Sequence, residues 1–242
     1  MIVAVGNMNR GVDPVLLHHF YKHYTEWGVS RFYWGVYSGR DNPHWDLLAD
    51  CSKAYDAVLI PWMDGVFENN KDLAFFNHVR QQLGPDDWYV PHDTDEFVVV
   101  PGYRNLNDVV AACAKESASW VTSELVDRIT MNGTIPPALT MEPSIWQQFP
   151  RIGTVTKRIQ QSWTVKVALA RSDIAVTSGH HKIVGSAIPF KKTAQTHHFK
   201  WYGNLYEREA QKLLGYVQQK KPWITEIARL LTYMNLNDGR VT

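Results

Sequence analysis

The sequence predicts an α/β fold: a mostly parallel sheet flanked by helices, with a C-terminal helical appendage. Three observations carry this. Short β-branched or aromatic runs alternate with helical stretches through the first half of the 242 residues. The helical stretches repeat their apolar residues at i, i+3 and i+4, not at every second position. Gly and Pro punctuate the junctions, as at Pro14, Gly28 and Gly84-Pro85. A strand–helix–strand order makes neighbouring strands parallel, because the crossing helix returns the chain to the same edge.

Taken in order, residues 2–5 are apolar and β-branched and form a first strand. Residues 14–27 read as a helix with Leu17, Phe20, Tyr21 and Tyr24 on its apolar face. Residues 31–37 are strand-like, 43–54 helical and 57–62 the next strand. Residues 70–83 form a helix with Phe75, Phe76, Val79 and Leu83 on one side. A strand starts at 88–90, extended chain follows at 97–100, and 106–114 is helical. Beyond that point the pattern loosens. Residues 119–125 are strand-like. Pro136, Pro137, Pro143 and Pro150 make 135–153 loop-rich. Residues 163–170 and 174–176 read as strands, and 178–196 as irregular and basic. Two helices close the chain, at 205–219 and 223–233. Ligands of such sheets bind outside the carboxyl ends of the strands, so the residues after each strand are the place to search.

Lysine and arginine total 25 against 24 aspartates and glutamates, a formal charge of +1. Nucleic-acid binders usually carry a basic excess, so no nucleic-acid partner is expected. No run approaches the ~20 apolar residues of a membrane helix. The first residues read as a strand and not as the apolar core of a signal peptide. Cys51 and Cys113 are far apart, and Cys113 shares an apolar helical stripe with Leu106, Val109 and Val110. Free thiols in a reducing, cytoplasmic setting are expected.

The sharpest chemical feature is the run Trp88-Tyr89-Val90-Pro91-His92-Asp93-Thr94-Asp95-Glu96-Phe97. Asp93, Asp95 and Glu96 crowd the carboxyl end of an apolar strand, where they repel one another and lose hydration. A divalent cation relieves both, and oxygen ligands favour Mg²⁺ or Mn²⁺. Such an ion can grip a diphosphate and neutralise the charge that builds as it leaves. An acidic turn is the plain alternative.

With these residues the sequence resembles a glycosyltransferase of the GT-A fold, family 2-like, from the bacterial branch with a D-x-D-E-F motif. The elements that match are His18-His19, Gly28-Val29-Ser30-Arg31-Phe32-Tyr33, Ser38-Gly39-Arg40-Asp41 and Trp88 through Phe97. The match spans about residues 1–135 and thins to about 202. The resemblance implies a domain over 1–200, with a nucleotide-sugar half at 1–125, an acceptor half at 126–200, and C-terminal helices at 201–242. Those helices offer a surface for a homo-oligomer. Asp93 and Asp95 match the metal and nucleotide-diphosphate motif. Val5, Gly6 and Asn7 match the loop bordering base and ribose, and Ser38 and Asp41 the loop that faces the nucleoside. Arg10 stands where the usual acidic residue is missing and is suited to phosphate charge.

The resemblance also implies one metal-ligating histidine from the later chain, among His180, His181, His197 and His198; His180 and His198 are carried forward. His19 and His23 have a metal-type spacing, but Lys22 and Glu26 share that stretch, so a solvated face is expected. An inverting displacement needs a carboxylate to take the acceptor's proton. Glu124, Asp127 and Glu142 follow the acidic block; Asp127 and Glu96 are the candidates carried forward. The basic residues of the second half, Lys166 and Lys200 among them, are expected on solvated faces or on diphosphate oxygens. Trp146, Trp163 and Trp201 are expected in the core, or under a sugar.

The expected function is therefore a metal-dependent glycosyltransferase, taking a sugar from a UDP- or GDP-type donor to a glycan or other hydroxyl acceptor. The alternatives are a metal-dependent phosphohydrolase or nucleotidyl-transfer enzyme, and a non-catalytic sugar-nucleotide-binding module.

Overall fold

Helix α1 (Pro14–Glu26) shows how local sequence sets the frame. The Asp13 carboxylate caps its start, accepting from the Val15 N–H at 2.8 Å, with Pro14 in the first turn. Gly28 ends it at φ +90°, where the N–H groups of Trp27, Gly28 and Val29 bond back to the last turn. Leu17, Phe20, Tyr21 and Tyr24 are all fully buried, as the spacing predicts.

The computed structural model describes residues 1–8, 12–38, 41–42, 44–63 and 69–241. Among them, strands β1 (Ile2–Met8), β2 (Arg31–Tyr37), β3 (Ala57–Met63) and β4 (Trp88–His92) alternate with α1, α2 (Trp45–Lys53) and α3 (Asn69–Arg80). Then come β5 (Glu96–Val99), α4 (Leu106–Lys115), β6 (Trp120–Ile129), α5 (Ile145–Gln148), β7 (Arg151–Gly153), β8 (Val165–Arg171), β9 (Ala194–His198), α6 (Leu205–Gln218) and α7 (Ile224–Leu236).

The strands form one nine-stranded sheet in the order β3-β2-β1-β4-β8-β6-β9-β5, with β7 paired to β6. The expected α/β sheet with its helices is therefore present. Its β3-β2-β1-β4 portion is parallel, with Val5 opposite Tyr33 on one side and Pro91 on the other. Strand β8 then runs antiparallel to β4, pairing Tyr89 with Ala170. This reversal matters for the site. The carboxyl ends of β1 and β4 and the beginning of β8 all reach the same edge, and continuing the register sets Lys166 opposite Asp93.

The chain divides into two units, Met1–Leu125 with Val165–Thr196, and Val126–Thr164 with His197–Thr242. The first has a core that includes Val3, Val5, Phe75, Phe76, Val79, Tyr89 and Val167. The second has its own core of Ile129, Val155, Trp201, Leu205, Leu230, Met234 and Val241. No described helix is long and apolar enough to cross a membrane.

Several local expectations are corrected. Residues 174–176 form no strand; only Val176 bridges to Ile183. The irregular stretch 178–196 gives way to β9 at Ala194. A single π-helical segment, Val155–Gln160, follows β7. His19 and His23 are each 6% exposed, not solvated. The His23 Nε2 lies 2.9 Å from the Val98 carbonyl oxygen, and burial pushes its pKa down to about 4. Cys51 and Cys113 are free thiols, and burial pushes Cys113 up to about 12.

Candidate functional site

The acidic run after β4 folds as a tight turn into β5. The Glu96 N–H donates to the Asp93 carbonyl at 3.1 Å. Tyr24 of α1 clamps the start of β5: its hydroxyl donates to the Glu96 carbonyl at 2.9 Å and accepts from the Val98 N–H at 3.0 Å. The turn thus has fixed backbone geometry, and its three carboxylates differ in exposure. Glu96 points inward and is 3% exposed. The Asp93 side chain is 57% exposed, and Asp95 is half-buried.

What meets Glu96 is Lys166, from the beginning of β8. Its Nζ lies 2.7 Å from Glu96 Oε1 and 3.8 Å from Asp93 Oδ2, and the lysine is itself buried. Burial alone would strip its proton, but Glu96 and Asp93, with Asp95 beyond them, outweigh that and hold the ammonium charged. Lys166 is thus neither a solvated lysine nor an open phosphate ligand. It is the counter-ion of the acidic turn.

A fourth carboxylate joins this edge, unmarked by any motif. Asp72, in the first turn of α3, is 6% exposed and accepts a hydrogen bond from the Asn7 side-chain amide at the end of β1. Burial first, and the Asp93 charge second, push its pKa up to about 7. Gly35 on β2 makes room for this pair: a Cβ there would run into the Asn7 amide oxygen and sit 3.0 Å from the Phe75 ring. Among the described residues of the expected nucleoside loops, Asn7 sends its side chain to the acidic edge. Val5 lies in the core, and Gly6 is a packing glycine whose Cβ would meet the His92 carbonyl oxygen at 2.7 Å. Ser38 is buried at φ +61°, and the Asp41 N–H closes a turn onto its carbonyl at 2.9 Å, leaving Asp41 exposed. Arg10 lies outside the described residues.

His180 belongs to this unit. It follows Gly179 with both residues in the left-handed region, at φ +56° and +71°. Its ring is 2% exposed, packs 4.4 Å from the Phe76 ring, and has no hydrogen-bond partner on either nitrogen among the described residues. Burial, and the nearby Lys166 charge, push its pKa far down, so it is a neutral imidazole. His92, at the end of β4, is likewise neutral, pushed down to about 3 by burial.

Asp127 and His198 lie in the second unit, and the structure brings them together. His198 Nδ1 is 3.2 Å from Asp127 Oδ1. Asp127 also accepts from the Thr156 N–H and hydroxyl, both at 2.7 Å, and from Trp201 Nε1 at 3.2 Å. It is 1% exposed. So saturated a carboxylate anchors the π-helical segment and Trp201, and like Glu96 it is buried. Trp201 is core, whereas Trp163 is 60% exposed. Glu209 of α6 is a second buried acid, held by Lys200 at 3.1 Å.

The donor set for a metal can now be judged. Among the described residues, no three His, Cys, Asp or Glu side chains converge as a cage. Glu96 is buried against Lys166, whereas Asp93 is exposed and Asp95 half-buried. That suits an ion which takes one or two carboxylates and fills its shell with ligand oxygens, the habit of Mg²⁺.

No protein-family model matches the chain, and no curated protein does. Solved structures show distant likeness. S. aureus TarS is 10% identical, with 88% of this chain and 39% of that one covered and a TM-score of 0.38. HddC from Yersinia pseudotuberculosis is 7% identical, with 88% and 99% covered and a TM-score of 0.40. A UDP-glucose pyrophosphorylase from Acinetobacter baumanii is 12% identical, with 60% and 64% covered and a TM-score of 0.31. The chain spans well under half the length of full TarS.

Proposed function

We propose that the chain is a glycosyltransferase that takes a sugar from a UDP- or GDP-type donor and passes it to a hydroxyl acceptor such as a glycan. The observation that supports this best is the acidic turn itself, with Asp93 exposed and Asp95 half-buried, on the carboxyl edge of the parallel strands and backed by the buried Lys166–Glu96 pair. Sheets of this order take their ligands at that edge.

The charge of the edge argues for the kind of ligand. Among the described residues, Asp93, Asp95 and Glu96, with Asp72 beside them, outnumber the one ammonium of Lys166 and leave the edge negative, which disfavours a bare diphosphate. Asp93 and Asp95 would hold Mg²⁺ or Mn²⁺, whose charge would remove that repulsion. When bound, the ion supplies the charge that stabilises the departing diphosphate. His180 is the histidine we assign to the same edge, since a neutral imidazole is the form a metal accepts. Asn7, backed by Asp72, would border the nucleoside. Transfer would invert the anomeric centre: the acceptor oxygen would bond to the anomeric carbon as the bond to the donor phosphate oxygen breaks, the electron pair leaving with the diphosphate and the acceptor's proton passing to a carboxylate of the site.

A melting experiment with UDP and GDP, with and without Mn²⁺, tests the proposal. A ligand that binds only the folded state raises the melting temperature. One nucleotide should stabilise the protein only with Mn²⁺, and Asp95→Asn should lose that response while melting normally by itself. Stabilisation by neither nucleotide, or an unaltered response in Asp95→Asn, overturns the reading. Metal-dependent cleavage of nucleotides without any sugar acceptor would favour the phosphohydrolase or nucleotidyl-transfer alternative.

A further inference from the structure

The two units differ sharply in charge. The second, Val126–Thr164 with His197–Thr242, carries eleven lysines and arginines against six acids, a net +5. The remaining residues carry fourteen against eighteen, a net −4, so the overall +1 hides an opposition. The excess in the second unit has a focus. From 210 to 225 the chain holds Lys212, Lys220 and Lys221 and no acid. This stretch is the end of α6, the turn after it and the start of α7.

The same stretch is apolar on its surface. Leu214 and Val217, three apart and so on one face of α6, are 66% and 53% exposed. The turn is tied by the Lys221 N–H, which donates to the Tyr216 carbonyl at 2.9 Å. Tyr216 and Trp223 pack ring against ring across it, with centroids 5.5 Å apart. Lys212 Nζ sits 5.6 Å from the Tyr216 ring and Lys221 Nζ 5.9 Å from the Trp223 ring. Exposed aliphatic side chains, aromatic rings and three lysines therefore share one end of a helical hairpin; of the flanking acids, Glu209 is buried against Lys200 and also feels Lys212, and Glu226 accepts from the Ser162 hydroxyl at 2.6 Å.

We propose that this end of the α6–α7 hairpin docks on an anionic lipid bilayer. The lysines meet the negative headgroups, and Leu214 and Val217 enter the boundary of the acyl chains. Charge complementarity selects an anionic surface, and the exposed aliphatics select a bilayer over a nucleic acid, to whose phosphates they add nothing. The attachment is peripheral, and it would place a soluble catalyst beside membrane-held acceptors.

Flotation of the full chain with vesicles tests this. Vesicles of phosphatidylcholine with 30% phosphatidylglycerol, a composition chosen at about the charge of an anionic leaflet, should carry the protein upward, and pure phosphatidylcholine should not. Raising salt from 0.1 to 0.5 M, which shortens the screening length from about 10 Å to about 4–5 Å, should release it. The variant K212E/K220E/K221E should lose about a hundredfold or more in partition, at about a tenth to a fifth of the affinity per lysine. Leu214→Ser with Val217→Ser should weaken binding with charge unchanged. Lys212, Lys220, Leu214 and Val217 are exposed and Lys221 is half-buried, so both variants should keep a folded melting transition, and nucleotide stabilisation should persist in each, which separates this test from that of the proposed activity. Equal flotation with both lipids, no flotation at all, or full binding by K212E/K220E/K221E overturns the proposal. So does a dimer in light scattering that Leu214→Ser with Val217→Ser converts to monomer, since a second copy would then own the face.

Discussion

Lys166 and Glu96 form a buried ion pair, Nζ to Oε1 2.7 Å, with 9% and 5% of the two side chains exposed. Removing one partner of such a pair strands the other charge in a poorly hydrated place, at a cost of about 3–5 kcal/mol. Lys166→Met and Glu96→Gln should each lower stability on that scale in urea unfolding. The double variant should lose much less than the two losses added together. Strictly additive losses would show that the two groups do not compensate each other.

Asp72 gives the protein a pH-dependent stability. Its folded pKa, pushed up to about 7 from 3.8, means that the folded state holds a proton the unfolded chain has already released. The associated stability is fully present below about pH 4 and is lost as pH rises to about 7, at roughly 1.4 kcal/mol per unit and on the order of 4 kcal/mol at most. Asp72→Asn should flatten that slope and melt higher than the parent at pH 8. Identical pH profiles for the two proteins would contradict this.

Asp127 should matter for folding more than its place near the end of a strand suggests. Asp127→Ala leaves the Thr156 N–H, the Thr156 hydroxyl and Trp201 Nε1 buried without their acceptor. A loss of about 2–4 kcal/mol is expected, with Asp127→Asn losing less. Calorimetry measures it. A variant that melts normally yet lacks transfer would instead assign the carboxylate to chemistry.

Gly35→Ala tests the Asn7–Asp72 pair from behind. The added methyl meets the Asn7 amide oxygen and the Phe75 ring, so the amide must move or the core must open. Overpacking of this kind costs about 1–3 kcal/mol. The melting temperature should fall, and the Asp72-dependent pH slope should change with it. An unaltered slope would mean that Asn7 does not depend on that space.

The alternation of strands and helices in the first half was legible because each helix has one apolar face: Phe75, Phe76 and Val79 announce α3 and all are buried. The acidic turn was legible because carboxylates after an apolar strand demand compensation. What supplies it was not. In Val165-Lys166-Val167 a lysine flanked by valines reads as an outward strand residue, and only the antiparallel return of β8 brings it to Glu96. Asp72 was hidden in the same way, since an acid in the first turn of a polar helix start is what any helix favours. Strand β9 escaped because Ala-Gln-Thr-His-His has no apolar alternation. Its burial is met by side-chain partners such as Ser123, whose hydroxyl lies 2.7 Å from that of Thr196.

The residue that balances the acidic turn is encoded seventy positions after it. During synthesis, Glu96 leaves the ribosome long before its counter-charge exists, so the first parallel strands can pair early while their functional edge stays unsettled. That edge can lock only once β8 has emerged and closed against β4. A ribosome-stalled or truncated product ending near residue 125 should therefore be a chaperone client and not a small working domain.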